Sequence, residues 1–424
     1  MRGLGRTISN LARHRLQWEK LVRTARDARA HTQKADGTST RLMEVTGFGP
    51  DPGALRMFTY LPPRLEPSPA LIVVLHGCTQ TAAGYDIGAG WSTLANRYGF
   101  ALLLPEQRPS NNPNACFNWF QPEDIARDSG EAMSIRQMVE RMIADHGIDR
   151  GRVFVTGLSA GGAMTAVMLA TYPEVFSAGA IIAGLPYGTA ANVQEAFESM
   201  FNGRDRAAHE WGNLVRQASP HPGPWPRVSI WHGDCDPTVK MTNADCIVRQ
   251  WANVHGIDAP PLEDVVDGHQ RQVWRRGTVD VIESYTITGM AHGTPLGTRD
   301  CDGEAGVAGA YMLDVGISSS YHIAKFFGLT GAAHKTAPAD KHATAPNGGA
   351  TILNGGGRPL VPADARVEVI SDDRIEILGA DARPGNGSCD DSPTRDDSAH
   401  PGSINISAII TKALTAAGLM KPRG

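Results

Sequence analysis

Gly157-Leu158-Ser159-Ala160-Gly161 sets one serine between glycines two places to either side. That spacing suits a hydroxyl carried on a sharp turn between a strand and a helix, because residues without side chains let the two elements approach closely. The flanks supply both elements. Arg152-Val153-Phe154-Val155-Thr156 is rich in β-branched residues, and Gly161 to Ala170 is a run of small and apolar helix formers. A helix starting there points unpaired amides and its positive dipole end at the hydroxyl, where negative charge would develop on an attacked carbonyl. The chemistry indicated is nucleophilic attack on a carbonyl carbon. The five-residue pattern alone is weak; its strand–turn–helix setting makes it specific.

A serine hydroxyl is almost never ionised near neutral pH, so it needs a base, and the candidates are the 14 histidines. In sites of this kind an acid and then a histidine follow the serine along the chain. Trp231-His232-Gly233-Asp234-Cys235-Asp236-Pro237-Thr238-Val239 offers two aspartates after an apolar run. Asp236 is preferred because it lies deeper in the turn, before Pro-Thr-Val; Asp234 suits turn stabilisation through nearby backbone. His292 follows the run Ser284 to Thr288 and fits both order and setting, whereas His322 falls on a predicted helix, Tyr321 to Phe327. Backbone donors for an oxyanion are expected from Ala160, just after the serine, and from Cys78 in Leu75-His76-Gly77-Cys78-Thr79-Gln80. His76 precedes that loop and reads as structural.

These residues need a scaffold that brings distant segments to one edge. Leu71 to Leu75, Ala101 to Leu104, Val153 to Val155, Ala180 to Ala183 and Val228 to Trp231 are short, almost wholly apolar runs, as strands buried on both faces require. Helical stretches lie between them at Trp91 to Tyr98, Gly130 to Asp145 and Gly161 to Thr171. The fold class predicted is α/β, a mostly parallel central sheet flanked by helices. Residues 41–45 and 55–60 read as an antiparallel hairpin at a sheet edge. Residues 184–226, with Gly, Pro and Trp, form an insertion placed as a lid would be, or else a plain surface excursion.

Three regions differ in texture. Residues 1–30 carry eight Lys or Arg against two acids, and 1–40 read as a basic amphipathic helix and linker without the apolar core of a secretory signal. Residues 41–329 hold the α/β pattern. Residues 330–424 begin with an Ala-, Pro- and Thr-rich linker and continue with a hairpin-like stretch at 366–378 and helical spacing at 407–420. No apolar run reaches the 18 or so residues that cross a bilayer. A net charge of -4 gives no global attraction to nucleic acid. The six cysteines, at 78, 116, 235, 246, 301 and 389, form no C-x-x-C pair, so no zinc site or dithiol redox motif is indicated. Their even number permits disulfides.

Taken together, Leu75-His76-Gly77-Cys78-Thr79-Gln80, the segment 114–120 (Asn-Ala-Cys-Phe-Asn-Trp-Phe), Gly157 to Gly162, Trp231 to Val239 and Gly289-Met290-Ala291-His292-Gly293 resemble the esterase family of the extracellular polyhydroxybutyrate depolymerases, which also includes feruloyl and acetylxylan esterases. The resemblance spans roughly residues 41–329. It implies the α/β-hydrolase fold, Ser159, Asp236 and His292 as a catalytic triad, and Cys78 with Ala160 as oxyanion donors. It further implies a Cys78–Cys116 disulfide bracing the oxyanion loop, with Trp119 as a flat apolar face beside the acyl chain or as ordinary core. No cofactor and no metal are expected. The implied substrate is a polyester or other ester, short-chain polyhydroxyalkanoate first and feruloyl or acetyl esters of polysaccharide second. A non-catalytic polymer- or granule-binding protein that keeps the fold is the alternative of another class. An extracellular location follows from the family and a cytoplasmic one from the missing signal.

Overall fold

The computed structural model describes residues 41–297 and 305–331. The expected N-terminal helix, the C-terminal linker and tail, Cys301 and Cys389 lie outside the described residues. In chain order the elements are β1 (Met43–Val45), β2 (Arg56–Tyr60), β3 (Leu71–Leu75), α1 (Ala82–Ala89), α2 (Trp91–Tyr98), β4 (Ala101–Glu106), α3 (Pro122–Ile125), α4 (Gly130–His146), β5 (Val153–Leu158), α5 (Ala160–Thr171) and β6 (Ala178–Ile182). There follow α6 (Val193–Asn202), α7 (Ala208–Gln217), β7 (Arg227–Gly233), α8 (Thr242–His255), β8 (Leu262–Val266), β9 (His269–Arg276), β10 (Val279–Ile287), β11 (Thr294–Leu296), β12 (Met312–Asp314) and α9 (Ser319–Phe326).

One ten-stranded sheet runs in the order β1-β2-β4-β3-β5-β6-β7-β10-β9-β8. Its centre, from β4 to β10, is parallel. Both margins are antiparallel: β1 on β2 and β2 on β4 at one, β10 on β9 and β9 on β8 at the other. The expected edge hairpin is present. Alternation along each central strand divides the core in two. Leu71, Val73 and Leu75 of β3 face the side covered by α4, α5 and α8, while Ile72 and Val74 face α1, α2 and α9. That is why these runs are apolar at every position. Across the β7–β10 boundary, the register partners Trp231 and Tyr285 stack with ring centroids 3.7 Å apart.

The strand order reverses between β3 and β5, and at such a reversal the connections at the strands' carboxyl ends leave a crevice. Four chain segments meet there: the loops after β3, β5, β7 and β10. The insertion between β6 and β7 contains α6 and α7. Its second helix packs on α8, where Gln250 Nε2 donates to Trp211 O and Arg216 donates to Asn253.

Candidate active site

Ser159 sits between β5 and α5 with φ 58° and ψ −116°, a left-handed backbone that a non-glycine residue adopts only under constraint. Several contacts impose it. Ser159 N donates to Ile182 O at 2.9 Å. A Cβ on Gly157 would lie 2.4 Å from Gly161 O, and one on Gly161 would lie 2.2 Å from Leu75 O. The two glycines let β5, α5 and the end of β3 close on one another.

The loop after β7 turns about Asp236, which is 3% exposed. Its Oδ1 accepts the backbone N–H groups of Thr238 and Val239 at 2.7 and 2.9 Å, and its Oδ2 lies 2.6 Å from His292 Nδ1. On the far side of the imidazole, Nε2 is 2.9 Å from Ser159 Oγ. A carboxylate only accepts, so Nδ1 carries the proton and Nε2 is left to accept from the serine hydroxyl. Burial opposes ionisation of Asp236. The neighbouring His292, with His232 beside it, outweighs burial and holds the carboxyl well below the usual carboxylate range.

His292 is positioned from two sides. Cys235 N donates to Met290 O, and Gly233 leaves room for the 290–291 backbone, since a Cβ there would stand 2.1 Å from Met290 O. Beyond His292, β11 pairs with β12, Thr294 N donates to Tyr311 O, and the Tyr311 ring stands edge-on to the imidazole with centroids 6.1 Å apart. Asp234 takes a different part: its Oδ1 accepts Gly289 N at 2.7 Å and ties the two loops together. His322 lies on α9 and reaches Asp267, remote in chain and contacts from Ser159.

The structure joins Cys78 to Cys116 in a disulfide. Beside it, Thr79 N donates to Asn114 O at 2.6 Å and Gly77 N to Gln80 Oε1 at 2.8 Å, so the loop after β3 is tied at three neighbouring points. His76, fully buried, accepts from Gln107 N through Nε2 and donates through Nδ1 to Gly77 O. Its ring is thus spent on the scaffold. Behind the bridge, the carboxylate of Glu131, 1% exposed, accepts from Gln107 Nε2 and from Asn118 N at 2.9 Å, and Gln107 Nε2 also reaches Cys116 O. Burial and the neighbouring Asp124 push the Glu131 carboxyl well up.

Sequence reasoning missed three residues here. Glu131 gave no signal, being one acid among many at a helix start. His232 is fully buried; its Nε2 donates to Val239 O at 2.7 Å and stands 3.5 Å from Asp236 Oδ2. Tyr311, with φ 61°, comes from an irregular segment.

A pocket partly open to solvent surrounds Ser159 and His292. Cys78 and Ala160 stand in its wall. At position 160 the amide begins α5, so it has no partner within the helix. Trp119, Phe120, Leu185, Val239 and one face of α6 make the rest largely apolar. Trp119 both packs edge-on with Phe120, at 5.3 Å between centroids, and lines this space. Among the described residues, no group of three or more His, Cys, Asp or Glu side chains could hold a metal ion, and no helix is long and apolar enough to cross a membrane.

Residues 55–266 match the family described as esterase PHB depolymerase. The chain is 48% identical over 293 residues to poly(3-hydroxyalkanoate) depolymerase C of Paucimonas lemoignei, an alignment covering 68% of this chain and 70% of that protein. It is 37% identical over 271 residues to feruloyl esterase B of Neurospora crassa, covering 62% and 91% of the two chains. Among solved structures, acetyl xylan esterase from Aspergillus awamori superposes with a TM-score of 0.58 at 27% identity, covering 68% of this chain and 99% of that one. With a mostly parallel sheet, a serine at the β5–α5 turn and these relatives, the chain belongs to the PHB depolymerase esterase family, and it is a carboxylic-ester hydrolase of the α/β-hydrolase fold.

Proposed function

We propose that Ser159 is the nucleophile, His292 the general base and acid, and Asp236 the group that fixes the imidazole tautomer and balances its charge. The single observation that carries this is the unbroken line from Asp236 Oδ2 through the His292 ring to Ser159 Oγ, at 2.6 and 2.9 Å. Ser159 Oγ attacks the ester carbonyl carbon while His292 Nε2 takes the hydroxyl proton. The oxyanion is met by the amides of Ala160 and Cys78. Collapse expels the alcohol, which receives the proton from His292 and leaves an acyl-serine. A water, deprotonated by His292, attacks that ester; the carboxylic acid departs and Ser159 regains its proton.

The substrate class we infer is short-chain polyhydroxyalkanoate or its soluble oligomers. An apolar pocket and 48% identity to a protein named poly(3-hydroxyalkanoate) depolymerase support it. The Cys78–Cys116 bridge supports work outside the cell, where a disulfide persists. A fluorophosphonate is expected to label Ser159 in the parent and not in Ser159→Ala, a variant that should fold and lack turnover. Hydroxybutyrate release from amorphous polymer is expected to be faster than ferulate release from arabinoxylan. Full activity of Ser159→Ala would refute the catalytic assignment, and the reverse preference between polymers would refute the substrate.

A further inference from the structure

Val193, Ala196, Phe197 and Met200 recur at helical spacing and all line the pocket around Ser159, so one whole face of α6 forms its wall. The opposite side of the helix carries Gln194 and Glu198, joined at 3.0 Å. The helix is held at both ends. Asn192 Oδ1 accepts Glu195 N at the start, and at the finish Asn243 Nδ2 donates to Ser199 O while Lys240 N donates to Met200 O at 2.8 Å. Asn243 is fully buried and reaches α6 from the start of α8. The insertion therefore places a fixed wall at the pocket, whose shape depends on side-chain size.

Which part of an ester meets this wall follows from the proton path. The leaving alcohol must receive its proton from His292 Nε2, so it departs on the side of His292 and Tyr311. The acyl carbonyl stays by the amide of Ala160. Ala160 and Ala163 share one packed apolar cluster with Leu185, Val193, Ala196 and Met200. The acyl substituent is thereby directed onto α6. Ala196 is the smallest residue on that face, a notch with Val193 before it and Met200 after it.

We propose that α6 gauges the length of the acyl chain, with Ala196 setting how far an aliphatic chain can extend and Met200 closing its end. The proposal rests on ester hydrolysis by Ser159 as argued above. Its test is the ratio of kcat/KM for p-nitrophenyl octanoate to that for the acetate, measured on the full chain. Ala196→Leu is expected to lower that ratio about tenfold or more, and Met200→Ala to raise it by a similar factor, since one to a few methylenes in an apolar pocket discriminate at that level. Varying the alcohol at constant acyl group should leave the ranking of the three proteins unchanged. Fluorophosphonate labelling of Ser159 reports that each variant is folded at the site, and Met200→Ala carries the test where Ala196→Leu fails to fold. Labelled variants with the parent's octanoate-to-acetate ratio would overturn the gauge, as would a change confined to the alcohol series. Persistent turnover in Ser159→Ala would instead overturn the catalytic assignment beneath it.

Discussion

His292 meets Asp236 through one carboxylate oxygen at 2.6 Å, while the other oxygen is held by the N–H groups of Thr238 and Val239. The backbone thus aims the carboxylate before the imidazole arrives. Asp236→Asn keeps the size but presents an amide that favours the wrong imidazole tautomer, and kcat is expected to fall by roughly 10³ to 10⁴. Asp234→Asn removes charge from a group whose Oδ1 only accepts Gly289 N, and its loss should be tenfold or less. Steady-state kinetics of the two purified variants decide the matter; a larger loss for Asp234→Asn would reverse the assignment.

Gly161→Ala puts a Cβ 2.2 Å from Leu75 O, at the end of β3, and 2.6 Å from His76 O, the first residue of the loop that carries Cys78, both backbone atoms. Neither can give way without parting β3 from α5. A loss of more than about 3 kcal/mol is expected, with activity falling in step. Gly256, at φ +67° with nothing within 4 Å, supplies the contrast: alanine there meets only backbone strain, about 1–2 kcal/mol. Denaturant unfolding of both variants tests the difference, and equal losses would refute the close-packing argument.

The central strands and the Ser159 turn were legible in the sequence because burial on both faces leaves no polar alternation, and because a turn this tight demands glycines. The β8–β9 hairpin was not read. Leu262 to Val266 is mostly exposed, so its residues carry no burial pattern. Its one local signal was Asp267-Gly268, both at positive φ in a two-residue turn. Helix α1 contains Gly84 and Gly88, which weaken any helical reading. Asp236 and His292 could be proposed from order along the chain. His232 and Tyr311 could not, because what they touch is fixed only once β7, β10 and β12 are placed. The insertion at 184–226 had visible bounds, but its division into a pocket wall and a helix packed on α8 depends on anchors such as Asn243, which is distant in sequence.

The Cys78–Cys116 bridge closes a span of 38 residues. On chain entropy alone, opening a loop of that length costs about 4 kcal/mol. The paired change Cys78→Ser with Cys116→Ser, or reduction of the parent, should lower Tm accordingly. It should also depress kcat more than it raises KM, because the loop presenting the Cys78 amide is then held chiefly by the Thr79–Asn114 and Gly77–Gln80 hydrogen bonds. Unchanged kcat in the reduced, folded enzyme would show that the bridge serves stability alone.

Glu283 provides a pH-dependent term far from the serine. It lies on β10 opposite its register partner Ser229, whose hydroxyl donates to Oε1 at 2.7 Å, and Arg271 stands 3.5 Å from Oε2. Burial pushes its carboxyl up to about 7 from 4.5, with the Ser229 bond and the Arg271 charge opposing that rise only in part. Between those two values the folded chain retains a proton that the unfolded chain has lost. This contribution is therefore complete below pH 4.5 and disappears as pH rises through 7, a change on the order of 3 kcal/mol. Glu283→Gln keeps an acceptor for Ser229 and cannot ionise. The gap in stability between variant and parent should move in the variant's favour from pH 5 to pH 8, as read by urea unfolding at each pH. Parallel curves for the two proteins would mean that Glu283 titrates as an ordinary surface carboxylate.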